Sequence, residues 1–352
     1  MAQRGGELAA KAAKPSGDAA GEDRLSALPD DLLVLILLHL DDTAEAIRTS
    51  YFSRRWRRVW TLLPVLRFDL LPEVNGVAIR RILDAPEEAA PLRWISVTTL
   101  DAGPESAAAW LPVAARRLSG ELNYHNLRVK MNDRDDEDLQ LPCFEKATTI
   151  KLDIGFLGLA LPPHGIFGRL TELFLWRVRF RSPSDLGGVV SSPRCPCLKK
   201  LEVSNSRGLQ DLSIHSESLV RLKLEVVRGL RHLTIMAPIL QKLGVVRCIL
   251  AHDSTESVAN ISAPQLVDLD WKDFYDPQYV HLGDFEELQQ VAPFYFVAYG
   301  PPDIRDKNQY CLSLLQRFQA LYCLHLTLMY RQVSAHPSVV EYCSCKLQFA
   351  TS

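Results

Sequence analysis

Between Leu198 and Val245 one pattern recurs five times: LKKLEV, LQDLSI, LVRLKL, LRHLTI and LQKLGV, each reading apolar, two spacers, apolar, one spacer, apolar. The central residues Leu201, Leu212, Leu222, Leu233 and Leu243 stand alternately 11 and 10 apart. Each copy has the length and alternation of a short strand with one apolar edge. One such unit cannot cover its own leucines, so the pattern requires copies to stack and share a continuous core. Two copies make a unit of 21 residues, and the regular half-unit predicts a strand on both faces of every coil.

A period of 21 falls inside the range of about 20–29 residues of leucine-rich repeats. Looser copies flank the five: PLRWISV at 91–97, ATTIKLDI at 147–154, LTELFLW at 170–176, LVDLDW at 266–271 and LYCLHL at 321–326. The predicted array covers 91–329, with 330–352 an atypical tail. Spacers alternate outward along a strand, which places Glu202, Lys223, Asp268 and Asp270 on an open ladder-like surface.

The amino-terminal part obeys a different rule. Residues 1–22 are rich in Ala, Gly and Lys without apolar periodicity and are expected to be a disordered tail. Then comes LPDDLLVLILLHL, Leu28 to Leu40, apolar without a break from Leu32 to Leu38. A membrane span needs about 20 such residues, and acids close this run at both ends, so no membrane role is expected. With no secretory signal pattern, the chain is read as a protein of the cytoplasm or nucleus, or both. Three short helices are expected: one entered at Pro29 with Asp30 and Asp31 in its first turn, one capped by Asp42 with Glu45 three residues on, and one carrying Trp56 and Trp60 and stopped by Pro64. A helix apolar on all sides must be covered all round, and about 45 residues hold too little interior to do it.

LPDDLL, the apolar helix, AIRTS, SRRWRRVW and LPVLRFD, together spanning Leu25 to Asp69, resemble a plant-type F-box, and the repeats beyond it resemble those of F-box/LRR proteins, which are related to the F-box/FBD/LRR proteins. The fold implied is α+β and multidomain: an F-box at 23–70, a linker at 71–90, then the leucine-rich-repeat solenoid with short parallel strands. The carboxy-terminal stretch lacks a comparable pattern, and a complete FBD extension is not expected. The resemblance implies a substrate-receptor subunit of an SCF-type (Skp-cullin-F-box) ubiquitin ligase, the F-box binding a Skp-type adaptor and through it a cullin, the repeats recruiting a protein substrate for ubiquitin-dependent degradation. By position, Leu28, Pro29, Leu32, Leu33, Ile36, Leu40, Ile47, Ser50 and Trp56 would meet the adaptor. Tyr51 and Phe52 replace a smaller aliphatic pair, a change expected to alter packing. The competing expectation is a non-catalytic interaction scaffold or decoy without ligase activity.

Phe174 and Trp176 fall on outward spacers and are candidates for substrate contact, since buried aromatics anchor many interfaces. Arg48, Arg54, Arg55, Arg57, Arg58 and Arg67 surround two tryptophans, but a net charge of −2 and the lack of a companion patch favour a solvated face over nucleic acid. Cys195 and Cys197, like Cys343 and Cys345, are too close in sequence for the usual paired zinc ligands. No metal or cofactor is expected. With no phosphate loop, paired-histidine zinc helix or nucleophile elbow, and with Cys311 and Cys323 in apolar periodic stretches, the chain is not expected to be an enzyme.

Overall fold

A computed structural model describes residues 25, 27–40, 42–69, 76–84, 91–128, 138–182, 185–248, 258–273, 275–293, 296–299, 308–318, 321–331 and 340–348. The tail at 1–22 lies outside the described residues. Helices α1 (Asp30–Leu38), α2 (Thr43–Arg48) and α3 (Trp56–Val59), with single turns at Thr49–Tyr51 and Trp60–Leu62, form the amino-terminal module. Beyond it run the strands β1 (Val65–Asp69), β2 (Leu92–Leu100), β3 (Leu118–Leu127), β4 (Asp138–Gln140), β5 (Thr149–Asp153), β6 (Gly158–Ala160), β7 (Glu172–Trp176), β8 (Arg179–Phe180), β9 (Lys200–Arg207) and β10 (Asp211–His215). They continue as β11 (Arg221–Arg228), β12 (His232–Met236), β13 (Lys242–Val246), β14 (Val258–Ser262), β15 (Asp268–Lys272), β16 (Val280–Leu282), β17 (Gln290–Pro293), β18 (Phe296–Tyr299), β19 (Cys323–Arg331) and β20 (Val340–Gln348). Between them lie α4 (Gly76–Leu83), α5 (Pro104–Arg117), α6 (Asp185–Val190) and α7 (Asn308–Arg317).

The alternating 11 and 10 spacing becomes two sheets. LKKLEV, LVRLKL and LQKLGV are β9, β11 and β13 of a large parallel sheet; LQDLSI and LRHLTI are β10 and β12 of a four-stranded one. The central apolar residues line up across the large sheet, Leu66, Ile95, Leu122, Ile150, Leu173, Leu201, Leu222, Leu243, Leu269, Val291 and Leu324 each in register with the next. All are buried. At about 1.5–3 kcal/mol per buried aliphatic side chain, this one row explains why a coil needs its neighbours. The corners repeat too: the carbonyls of Thr171, Lys199, Val220, Gln241 and Val267 each accept from two successive amides of the next coil at 2.8–3.1 Å.

The boundaries differ from expectation in three places. β1 ends the stretch that resembles an F-box yet is the first strand of the large sheet, paired in register with β2, so the solenoid begins near residue 65. Residues 76–83, expected as linker, form α4, whose Ile79 and Leu83 are buried beside α5. At the far end β20 pairs antiparallel with β19 over nine residues, so part of the supposed tail extends the sheet.

A second periodic feature was not expected. Arg177, Asn205, Val226 and Arg247 all have φ between +49° and +54° and come directly after residues in register, Trp176, Ser204, Glu225 and Val246. Each kink reverses the alternation of its strand: in β9 Leu201 and Val203 are buried before it and Ser206 after it, and in β11 Leu222 and Leu224 before and Val227 after.

Candidate functional site

Two surfaces stand out, one on the helical module and one on the large sheet. In α1, Leu33 and Leu37 are buried in the core shared with Ala46, Trp56, Val59 and Leu63. The guanidinium of Arg55 fixes the helix entry, pairing with Asp30 and donating to the Leu28 carbonyl. Asp42 caps α2 by accepting from the Ala44 amide at 2.9 Å. That leaves Leu32, Leu35, Ile36 and Leu38 at 38–52 % exposure among the described residues, and Tyr51 and Phe52 more exposed still.

Of the residues assigned to the adaptor, Pro29, Leu32 and Ile36 are exposed and Leu28, Leu40, Ile47 and Ser50 half-buried. Leu33 and Trp56 are corrected: both are buried, because they are the faces by which α1 and α3 meet, and they hold the module together. The expectation for Tyr51 and Phe52 is corrected as well. They project outward, Phe52 touching Trp56 only edge-on at 6.3 Å, so the pair adds apolar surface instead of changing the core. Leu35 and Leu38 were missed, since a helix apolar all round carries no phase in its sequence.

On the outer face of the large sheet, Asn123, Lys151, Phe174, Glu202, Lys223, Gly244 and Asp270 form one row, in register. The row after it includes His125, Asp153, Trp176, Ser204, Glu225, Val246 and Lys272. Charges alternate and largely satisfy one another: Lys151 with Glu121 at 2.7 Å, Lys223 with Glu225 at 2.6 Å, Lys272 with Asp270 at 2.9 Å, Lys242 with Asp268 at 3.3 Å. Asp153 receives both Nε and Nη2 of Arg177 at 2.7 Å and has His125 at 3.9 Å. Burial alone would raise its pKa, but the hydrogen bonds and charges of His125 and Arg177 outweigh it and hold the carboxyl below its usual range.

Phe174 and Trp176 stack at 5.3 Å in the middle of this ladder. The Lys151 and Lys200 ammonium groups lie 5.6 and 4.5 Å from the Phe174 ring and leave it 5 % exposed, so Phe174 is corrected from contact to support. Trp176 stays half-exposed, its indole donating to Glu202 at 3.3 Å. Among the described residues no group of three or more His, Cys, Asp or Glu is placed to hold a metal, and no helix is long and apolar enough to cross a membrane. Cys195 and Cys248 are buried thiols pushed up to about 12 by desolvation, and Cys311 to about 11. These are inert thiols, since the thiolate is the nucleophile.

The F-box domain family matches residues 25–68, and the family described as "FBD-associated F-box protein At5g56370, LRR repeats" matches residues 107–279. Three similar proteins come from Arabidopsis thaliana. Putative F-box/FBD/LRR-repeat protein At4g00315 is 30% identical over 58% of this chain and 48% of its own length. Putative F-box/FBD/LRR-repeat protein At4g03220 is 26% identical over 86% of this chain and 62% of its own length. F-box/LRR-repeat protein At1g55660 is 28% identical over 78% and 74%. The chain thus spans about half to three fifths of the first two relatives. No solved structure matches.

Proposed function

We propose that this chain, an F-box protein with leucine-rich repeats of the plant type, is the substrate-receptor subunit of an SCF-type ubiquitin ligase. The helical module docks on a Skp-type adaptor, which links it to a cullin, and the solenoid recruits a protein substrate. One observation carries the reading: the apolar surface of α1 leaves Leu32, Leu35 and Ile36 41–52 % exposed among the described residues. Leu32, Leu35, Ile36 and Leu38 are about half exposed, so covering the rest supplies about 0.7–1.5 kcal/mol each, and the more exposed Tyr51 and Phe52 add to this before association costs are subtracted. The chain performs no bond chemistry in this role. Holding a substrate beside the transferring enzyme raises its effective concentration, which suits a chain whose buried thiols are protonated and inert.

The test is capture of a plant Skp-type adaptor by the full chain and by Leu32→Asp/Ile36→Asp, both positions being exposed so that folding is spared. Capture should fall at least tenfold in the double variant. Equal capture, or none by the unaltered chain, refutes the interface; capture without substrate ubiquitylation in the reconstituted ligase indicates a scaffold or decoy.

A further inference from the structure

Trp176 ends β7 on the outer face of the large sheet, directly before the left-handed Arg177. Phe174 stacks against the indole at 5.3 Å and is itself flanked by the ammonium groups of Lys151 and Lys200, so the ring stands on a fixed support. The backbone that carries it is fixed as well, since Arg177 reaches across to Asp153 through Nε and Nη2, both at 2.7 Å. A supported aromatic that keeps part of its surface in water has the character of an interface anchor.

Two groups beside the ring have bonding capacity that the described residues do not use. Glu202 accepts the indole N–H on Oε1 at 3.3 Å, which leaves most of the roughly four acceptor positions of an ionised carboxylate without a partner. Neighbouring cations are engaged elsewhere. Lys223, whose ammonium also feels the Glu202 and Asp270 charges, bonds Glu225 at 2.6 Å, and Lys200 lies 4.5 Å from the Phe174 ring. Ser204 stands in register between Trp176 and Glu225. It is 4 % exposed, and its hydroxyl makes no hydrogen bond to the described residues. A buried hydroxyl without a partner costs stability, and this one persists between two side chains that are each only partly buried.

We infer that Trp176, Glu202 and Ser204 form a subsite for an arginine side chain of a partner protein, the guanidinium lying on the exposed part of the indole and donating to the Glu202 carboxylate and the Ser204 hydroxyl. This deepens the receptor reading and rests on it: the subsite is where the repeats select a substrate segment. Glu202 and Ser204 stand two residues apart on one strand, about 6.6 Å, and Trp176 is one strand away, about 4.8 Å, so the three groups converge on a single planar fork. The site offers acceptors and an aromatic face, while its own donors, the indole N–H and the Arg177 guanidinium, are committed. A guanidinium brings five donors, no acceptor and a plane that stacks on aromatic rings. Lysine brings a compact, strongly hydrated charge without that plane, and an acidic segment meets the Glu202 charge.

The experiment titrates the full chain by fluorescence anisotropy with degenerate octapeptide pools whose central residue is arginine, its uncharged isostere citrulline, lysine or glutamate. The arginine pool should bind about tenfold more tightly than the citrulline pool, the worth of one charged hydrogen bond, with the lysine pool weaker than arginine and the glutamate pool weakest. Glu202→Gln keeps an acceptor for the indole but removes the charge, and should abolish the preference for arginine over citrulline. Ser204→Ala should weaken the arginine pool about threefold with its melting temperature unchanged or raised, since no bond is lost in the free chain; a purely structural serine would lower it. No binding of any pool, equal binding of arginine and citrulline, tightest binding of lysine or glutamate, or an unchanged Glu202→Gln overturns the inference. Adaptor capture by Glu202→Gln should equal that of the unaltered chain. Capture absent from the unaltered chain with the arginine preference intact counts against the receptor reading alone, and capture intact without that preference counts against the arginine subsite alone.

Discussion

Asn205 is exposed and yet sits at φ +49°, so its replacement separates backbone strain from packing. The left-handed region costs an ordinary L-residue about 1–2 kcal/mol; asparagine tolerates it, and a β-branched residue tolerates it worst. Asn205→Val removes no buried surface, so the whole cost is conformational, and about 1.5 kcal/mol of destabilisation is expected. Exposed substitutions elsewhere usually stay within about 0.5 kcal/mol. Ser213→Val provides the control, an exposed position in the regular strand β10 where valine suits the backbone. Asn205→Gly should fall within a few tenths, the relief of the Cβ clash being offset by added freedom in the unfolded chain. Urea denaturation monitored by circular dichroism measures all three. If Asn205→Val costs no more than Ser213→Val, the left-handed conformation at the kink carries no strain.

Three further outcomes are expected from the geometry. Leu33→Ala should cost about 2–5 kcal/mol while Leu35→Ala, half-exposed on the same helix, stays within about 0.5 kcal/mol; denaturant midpoints compare them. Asp153→Asn should destabilise by about 2 kcal/mol, the scale of a charged hydrogen bond. Because the folded-state pKa of Asp153 is depressed, that difference should be full above the unfolded value near about 4 and shrink as pH falls below it, which acid titration of both proteins reads directly. Native alkylation with iodoacetamide at about pH 8, near the ordinary thiol pKa, mapped by mass spectrometry, should label exposed Cys197 quickly and leave Cys195, Cys248 and Cys311 untouched until denaturant is added.

Much of this architecture can be read from leucine spacing alone, because a hydrophobic period is set by burial and burial is what stacking coils share. The alternation of 11 and 10 translated into two sheets for that reason. α5 stayed hidden: PESAAAWLPVAARR has proline at its start and again at Pro112, and its alanines blur the apolar stripe that marks a helix against the strand-spaced leucines around it. The left-handed kinks carry no sequence signal because their residues, Arg, Asn, Val and Arg, share no chemistry, and only the register of successive strands lines them up. An aromatic on an outward spacer signals a contact surface, whereas at Phe174 two lysines from adjacent strands decide its accessibility. Leu33 and Trp56 show the same limit, since which side of an apolar helix is inside depends on the helix it meets.

β1 belongs at once to the helical module and to the sheet: the Arg67 amide donates to the buried Thr43 hydroxyl of α2 at 2.6 Å, while Leu66 pairs with Ile95. The joint therefore has no hinge, and the sheet acts as a graduated arm. β9 and β11 lie five and six strand spacings from β1, about 24–29 Å along the sheet. In the proposed receptor role, inserting or deleting one coil between them would move a bound substrate by about 4.8 Å relative to the helical module, so the number of repeats would set which lysines of that substrate come within reach.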